Sequence, residues 1–346
     1  MRNGLTGVAR YSRELMAALV AAGVDVRPFA IGRGPGVIPP GCHHLPVPLR
    51  VVTAAWRRTR MPRAEWLAGG GQVVHSLDLV LPPSRLPLVA TVHDLAALDR
   101  PDLHPPRAAE QLRRRLAELD RADVVVAVSQ ATATALARHG VDPARVVVTY
   151  QATTLTPEGI DGLQVPRRRP FLLAVGEITA RKDYATIVRA MACEPLRDLD
   201  LIIAGPMGYR HEDVLRLISA LRLENRVLLL GRVSDAELAD LYRDAELFCF
   251  SSVIEGFGIP LLEAMHAGLP IVCSDIDVAH EVAGDAAVYV PVGDFEGFAS
   301  QVSTVLGDST LRSDLAAAGR ARSALFSWQR TAALTIEAYR NALGAA

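Results

Sequence analysis

Lysine is almost missing from this chain. Of the 37 Lys and Arg side chains among its 346 residues, Lys182 alone is a lysine. A compact, flexible ammonium is therefore available at one place, and any chemistry that needs one must run there. Cysteine is scarce as well. Cys42, Cys193, Cys249 and Cys273 are scattered, with no pair at zinc or redox spacing, which excludes the local Cys-x-x-Cys type of metal or dithiol motif. Cys249 and Cys273 fall in apolar, strand-like runs that suit buried free thiols. The sequence shows no N-terminal apolar stretch of signal type and no run long enough to cross a bilayer, so a reducing cytoplasm is the expected setting, with peripheral membrane contact left open. Neither sign of charge dominates: 37 basic residues stand against 38 acidic ones. No global field draws the protein to nucleic acid or to an acidic membrane, and any anion site must be local. No strand is followed by a Gly-x-Gly-x-x-Gly turn, which argues against a dinucleotide dehydrogenase, and no internal repeat is present.

Half of the residues are hydrophobic, and a chain of this length can build two domains with separate cores. Residues 5 to 22 read as an amphipathic helix with Leu15, Leu19 and Ala22 on one side, followed by a strand over 25 to 30. Strands are predicted at 72–75, 88–93, 123–128 and 146–149, with helices at 107–121 and 130–138, the second capped by Ser129 and stopped by Gly140. Residues 163 to 170 (LQVPRRRP) break the pattern and are the linker candidate. Beyond it, strands are expected at 171–175, 200–204, 227–230, 247–250, 270–273 and 287–290, a capping box at Ser234–Glu237, and a final helix from Trp328 to Leu343. Alternation of strands and helices implies an α/β fold of doubly wound parallel sheets, whose ligands sit at the carboxyl ends of the strands, where His93 and Asp94 fall. The domains expected are 1–165, 166–327 and a terminal helix, 328–346.

The most informative stretch runs from Glu255 to Asp275, EGFGIPLLEAMHAGLPIVCSD. Pro260 suits a first helical turn, Gly268 the left-handed residue past the end, and Pro270 a stop, so the helix is short. Gly256 and Gly258 free the backbone at its entrance, where unpaired N–H groups and the positive end of the dipole suit an anionic oxygen. Glu255 lies in that entrance loop and Glu263 about one turn into the helix, so the two carboxylates can address different parts of one long polar ligand, and neither needs a place in the core. A capped surface helix with two solvated glutamates is the plainer alternative. Arg181 and Lys182, side by side, offer a planar fork and a point charge to a diphosphate; a chance exposed lysine is the alternative there.

Two glutamates separated by seven residues, with Gly-Phe-Gly between and Ser274-Asp275 after an apolar strand, resemble the signature of retaining glycosyltransferases of family 4. Gly7 through Tyr11, His93-Asp94, Ser129, Gly176 through Lys182, Gly231 and Phe326-Ser327-Trp328 fit in order and spacing. The resemblance covers nearly the whole chain. It implies the GT-B fold, two Rossmann-like domains facing a cleft that closes on the donor, with the last helix crossing back to the first domain. A family member usually carries an apolar strand ahead of the first glycine turn; here the chain opens at Met1 already in that turn, so the first strand is expected to be missing, through either a truncated or misassigned start or a strand lost from the sheet.

The resemblance further implies transfer of a hexose-type sugar from a nucleotide-diphosphate sugar to a hydroxyl acceptor, with retention of configuration, no cofactor and no metal. The donor's diphosphate would meet Arg181, Lys182, the backbone near Gly7 and the helix opening after Gly258. Glu255 would accept from donor-sugar hydroxyls, Gly256, Phe257 and Gly258 would flank sugar and phosphate, and Glu263 would take the ribose diol, an ionised carboxylate being an acceptor only. Backbone groups at Arg232 and Val233 would face the base, and His93 would orient the sugar and its departing phosphate. His104-Pro105-Pro106 resembles the loop of mannosyltransferases and favours a GDP-sugar, with UDP- and dTDP-sugars open. The acceptor, a glycan, a lipid-linked sugar or a small molecule, is unread. The stretch 54–68, with Trp56, Trp66 and four arginines, suits either an anionic acceptor or membrane surface or a solvated basic helix broken at Pro62. Asp198-Leu199-Asp200 and Asp275-Ile276-Asp277 have the form of metal-binding triplets but sit where turns are expected. A phosphorylase of the same scaffold would need its lysine for pyridoxal phosphate, and Lys182 is already assigned. The remaining rival is a catalytically impaired pseudo-transferase that binds nucleotide or a partner enzyme.

Overall fold

A computed structural model describes residues 7–32, 42–155 and 169–344. They form two compact units. One contains the described residues up to Leu95, then Glu110–Gln151 and the chain from Trp328; the other contains Ala96–Ala109 and the described part of Ala152–Ser327. The segment Ala96–Ala109, expected in the N-terminal domain, thus packs with the second unit. Of the linker candidate, 163–168 lie outside the described residues.

The N-terminal unit opens with α1 (Gly7–Ala21) and continues through β1 (Phe29–Ile31), β2 (His43–Leu45), α2 (Leu49–Thr59), α3 (Ala64–Leu67), β3 (Val74–Ser76) and β4 (Leu88–Val92). After α4 (Ala96–Asp99), which belongs to the other unit, come α5 (Ala108–Leu116), β5 (Val124–Ala127), α6 (Gln130–Arg138) and β6 (Val146–Val148). The strands are parallel and lie in two sheets, β1-β2 and β3-β4-β5-β6. No described strand precedes α1. Tyr11, Leu15 and Leu19 form the buried stripe of α1; Ala22, expected on that stripe, is exposed because the helix has ended one residue earlier. The strand expected at 25–30 shrinks to β1, which pairs only where β2 runs beside it. The expected helix 107–121 is α5 followed by a 3₁₀ segment, Ala117–Arg121. Ser129 caps α6 by accepting from the Thr132 N–H, as its residue type predicts. The basic stretch is broken as expected near Pro62: α2 ends at Thr59, Trp56 is buried, and Trp66 is exposed with Arg63 stacked 5.6 Å from its ring.

The C-terminal unit winds β7 (Phe171–Val175), α7 (Tyr184–Ala190), β8 (Asp200–Ala204), α8 (His211–Ala220), β9 (Val227–Gly231), α9 (Asp235–Asp244), β10 (Leu247–Phe250), α10 (Ile259–Ala267), β11 (Ile271–Ser274), α11 (Asp277–Ala283) and β12 (Val288–Val290). Helices α12 (Phe295–Gly307) and α13 (Ser309–Ser323) follow, before α14 (Trp328–Gly344) returns to the N-terminal unit and packs Ala338 and Ala342 on Val89, Val124 and Val126. All six strands are parallel, in the order β12-β11-β10-β7-β8-β9. Strands such as LFCF in β10 and FLLA in β7 are buried throughout, as runs covered on both faces must be. Ile187 of α7, Ile218 of α8 and Phe298 and Val302 of α12 close one core over this sheet. On α10, Gly319 of α13 approaches so closely that a Cβ there would sit 3.3 Å from the Met265 Cα. The capping box on α9 is formed by Ser234 and Glu237. All four cysteines are free, with Cys249 and Cys273 buried. No helix among the described residues is long and apolar enough to cross a membrane.

Candidate functional site

In the six-stranded sheet the chain winds outward from β7 to β8 and β9, then returns to place β10 on the other side of β7. The carboxyl ends of β7 and β10 therefore flank the point where winding reverses, the place where a doubly wound sheet leaves a crevice. The loop after β7 carries Arg181 and Lys182, and the loop after β10 carries Ser251 through Gly258. Backbone and side-chain bonds tie the two together: the Val253 N–H donates to the Arg181 carbonyl at 2.9 Å, and the Ser251 hydroxyl to the Lys182 carbonyl at 2.8 Å.

The side chains converge on one carboxylate. Arg181 Nη1 lies 2.6 Å from Glu255 Oε2, Lys182 Nζ lies 2.5 Å from Oε1, and the Ser252 hydroxyl donates to Oε1 at 2.9 Å. Glu255 and Lys182 expose less than a tenth of their side chains, whereas Arg181 exposes 24%. Lys182 also sits 5.4 Å over the Phe250 ring. Burial alone would raise the Glu255 carboxyl; the neighbouring Arg181 and Lys182 charges outweigh it and bring its pKa down to about 2. Burial pushes the Lys182 ammonium down, with Glu255 opposing. Sequence reasoning gave the cations and Glu255 separate ligand partners. In the folded chain they are one ion triad, in which the desolvated charges of Lys182 and Glu255 find counter-charges within the protein.

The loop that presents Arg181 and Lys182 is itself held by a second one. The Ile178 N–H donates to the Pro206 carbonyl at 2.8 Å, Gly208 N–H to Ile178 at 3.0 Å and Ala180 N–H to Tyr209 at 3.1 Å. A Cβ on Gly205 would lie 1.9 Å from the Gly176 carbonyl oxygen, so only glycine allows this approach. Tyr184 adds a hydroxyl bond to the Gly176 carbonyl at 3.1 Å.

Gly258 is the N-cap of α10 with φ +89°, Pro260 lies in the first turn, and Gly268 closes the helix in the left-handed conformation. Phe257 turns its ring inward, 5.8 Å from Phe326. Glu263 lies one turn along α10, yet it is 3% exposed rather than clear of the core. The apolar pattern around it could not reveal this, since α10 is buried on several sides at once. Gly256 is buried in the same entrance loop; Arg232 is exposed and Val233 half-buried in the loop between β9 and α9. Three supporting residues went unpredicted: Ser252, Gly205 and Tyr242, the last a hydrogen-bond donor to Glu263. Only the Ser251-Ser252 pair after an apolar strand gave a sequence signal.

The two acidic triplets sit at element boundaries: Asp198 lies in a turn and Asp200 starts β8, buried, while Asp275 follows β11 and Asp277 opens α11. Asp198 points to solvent ahead of β8, and Asp275 bonds His280 at 2.7 Å beyond β11. Among the described residues no group of three or more His, Cys, Asp or Glu side chains is placed to hold a metal ion.

In the N-terminal unit Gly7 opens α1, and a Cβ there would meet nothing within 4 Å. His93 follows β4 directly. Its Nε2 stands 2.9 Å from the Leu77 carbonyl oxygen, an acceptor only, so Nε2 carries the proton and Nδ1 faces the Gln151 amide at 3.4 Å. Tyr11 meets its ring edge-on at 4.9 Å. Burial lowers the His93 pKa, opposed by the Leu77 bond and the Asp78 and Asp94 charges. Its neighbour His75 bonds Tyr339 and Thr91, both at 2.8 Å, and burial, then the His93 charge, lower its pKa to about 3.

An unfolded histidine takes its proton near pH 6.5, whereas folded His75 resists until about 3. Between these values the unfolded state binds more protons, so stability falls as pH drops from about 6.5 toward 3. Urea unfolding from pH 7.5 to 5 should show this loss, at most about 1.4 kcal/mol per pH unit for one histidine, and His75→Gln should flatten it. A midpoint independent of pH over that range would contradict a folded His75 that resists its proton.

Comparisons with known proteins agree with this architecture. The sequence pattern of "Glycosyltransferase Family 4" matches residues 5–155, and that of "Glycosyl transferases group 1" matches residues 158–322. O-antigen chain mannosyltransferase B of Escherichia coli is 28% identical, over 97% of this chain and 96% of its own length. Among solved structures, sucrose-phosphate synthase from Thermosynechococcus elongatus superposes with a TM-score of 0.81 at 23% identity, covering 99% of this chain and 94% of the other. HepE of Anabaena, solved in complex with UDP-glucose, gives 0.74 at 20% identity, covering 97% and 96%. The chain belongs to the group 1 glycosyltransferases and has their GT-B fold. It is a transferase enzyme.

Proposed function

We propose that this transferase moves a hexose from a nucleotide-diphosphate sugar to a hydroxyl acceptor with retention of configuration, using no metal ion. The observation that carries the reading is the Arg181–Lys182–Glu255 triad at the point where the sheet reverses its winding, beside the glycine-opened start of α10. Breaking the bond between the anomeric carbon and phosphate builds positive charge on the sugar and negative charge on the diphosphate. In this proposal Arg181, Lys182 and the N–H groups at Gly256, Phe257 and Gly258 stabilise the diphosphate, as preorganised donors that need no reorganisation during the reaction. As the diphosphate draws the two cations, Glu255 is released to accept from sugar hydroxyls. Glu263 takes the ribose diol, and the backbone at Arg232 and Val233 takes the base. Gly7 contributes its N–H to phosphate. His93 orients sugar and departing phosphate as a hydrogen-bonding group, and the acceptor's proton passes to the leaving phosphate.

A mannosyltransferase relative supports GDP-mannose as donor, and the UDP-glucose complex of HepE supports a uridine sugar. Exposed Leu49, Val51 and Trp66, set among Arg50, Arg57 and Arg58, support an acceptor presented at a membrane surface from the cytoplasmic side. The triad of Arg181, Lys182 and Glu255, with Glu263 on α10, supports an active transferase over a pseudo-transferase. Incubating the enzyme in chelator with GDP-mannose or UDP-glucose should release the nucleoside diphosphate of one of them, slowly with water and faster with a mixed pool of lipid-linked glycans. Consumption of a donor only after a divalent ion is restored would overturn the metal-free part of the proposal.

A further inference from the structure

Tyr242 lies on α9 with 1% of its surface exposed, its ring 5.6 Å from Phe248. A buried phenol needs a partner for its hydroxyl, and this one spans to another helix: it donates to Glu263 Oε2 at 3.0 Å and lies 3.3 Å from the Pro260 carbonyl oxygen. Glu263 is almost as buried, so the bond from Tyr242 is shielded from competing water and holds one carboxyl oxygen in place. The end torsion of a glutamate is soft, with a broad range of rotations of nearly equal energy. A vicinal diol, by contrast, offers two hydroxyls in fixed relation, and a carboxylate meets both only when its plane is set.

We infer that Tyr242 is a positioning residue which fixes the Glu263 carboxylate plane for a ribose diol, so that α9 sets the preference for ribonucleotide over deoxyribonucleotide diphosphates. The inference rests on the proposed role of Glu263 at the ribose. Tyr242→Phe removes one oxygen and no carbon, which leaves the packing against Phe248 intact.

The test is calorimetric titration of the wild type, Tyr242→Phe and Glu263→Gln with GDP and UDP and with the 2′-deoxy and 3′-deoxy form of each. Because the readout is a ratio within one variant, a partly folded preparation does not move it. The wild type should bind the ribo form of its nucleotide about tenfold or more tightly than either deoxy form, as a site built to bond a hydroxyl does. Tyr242→Phe should shrink that ratio by roughly three- to tenfold while leaving deoxy affinity unchanged. Glu263→Gln should bring the ratio close to one. Equal weakening of ribo and deoxy forms in Tyr242→Phe, or an unchanged ratio, would overturn the positioning role. An unchanged ratio in Glu263→Gln would instead overturn the ribose role of Glu263, and the inference with it.

Discussion

Lys182→Ala is expected to lower nucleoside diphosphate affinity by about 100-fold, or roughly 2.7 kcal/mol. Two effects act in the same direction. The variant loses a charge-assisted contact to phosphate, worth about 1.5–3 kcal/mol. It also leaves Glu255, in the neighbouring loop, with Arg181 as its remaining cation in the triad, so the net charge of the triad falls from +1 to zero and an incoming diphosphate meets no surplus positive charge there. Lys182→Arg should not restore wild-type affinity. The ammonium sits in a space where the Phe250 ring and the Gly176 turn crowd it, and a Cβ on Gly176 would already lie 3.1 Å from the Lys182 Cε. A planar fork does not fit the place of a point charge. Titration of each variant with the preferred nucleotide checks this, and an affinity within threefold of wild type in Lys182→Ala would remove the lysine from the diphosphate site.

Glu255→Ala should behave in the opposite sense toward nucleotide. Removing the carboxylate strands two neighbouring cations in a desolvated loop, a loss of about 3–5 kcal/mol in the free protein. The melting temperature of the free variant should fall, on the order of 10 °C. A bound diphosphate supplies the missing negative charge, so nucleotide should bind at least as tightly as in wild type and raise the melting temperature by more. Transfer should nevertheless drop by about 100- to 1000-fold, since the sugar loses the acceptor that holds it while charge develops. Parallel melting curves and initial rates check both halves. Weakened nucleotide binding in this variant, comparable with that of Lys182→Ala, would mean that Glu255 and Lys182 do not exchange partners when the diphosphate arrives.

The short helix from Ile259 to Ala267 was legible because its start and stop depend on residue types that act locally, Pro260, Gly258 and Gly268. The second-unit strands were legible for a related reason: in a parallel sheet covered on both faces, FLLAV and LFCF have no polar side to blur their ends. Strands of the N-terminal unit were harder. β1 and β2 have three residues each, are only partly buried and, among the described residues, pair with each other alone, so their sequences carry little pattern. Arg181, Lys182, Glu255 and Glu263 could be singled out by type and spacing, but their contacts could not. That Glu255 spends its charge on Arg181 and Lys182 depends on the β10–β7 pairing, which brings together loops more than 70 residues apart. Gly205 and Tyr242 were invisible for the same reason: each matters through a neighbour set by sheet order, Gly176 in one case and Glu263 in the other.

The central claim is that the cation pair after β7 receives the diphosphate of a nucleotide sugar. Calorimetric titration of the wild-type protein with GDP, UDP and dTDP, each in chelator, tests it most directly. The account predicts that GDP or UDP binds with a dissociation constant on the order of micromolar without a metal ion, within the usual range for enzyme substrates, and that dTDP, which lacks the 2′-hydroxyl of a ribose diol, binds about tenfold or more weakly. Binding of none of them, in a protein shown by its melting curve to be folded, would contradict it.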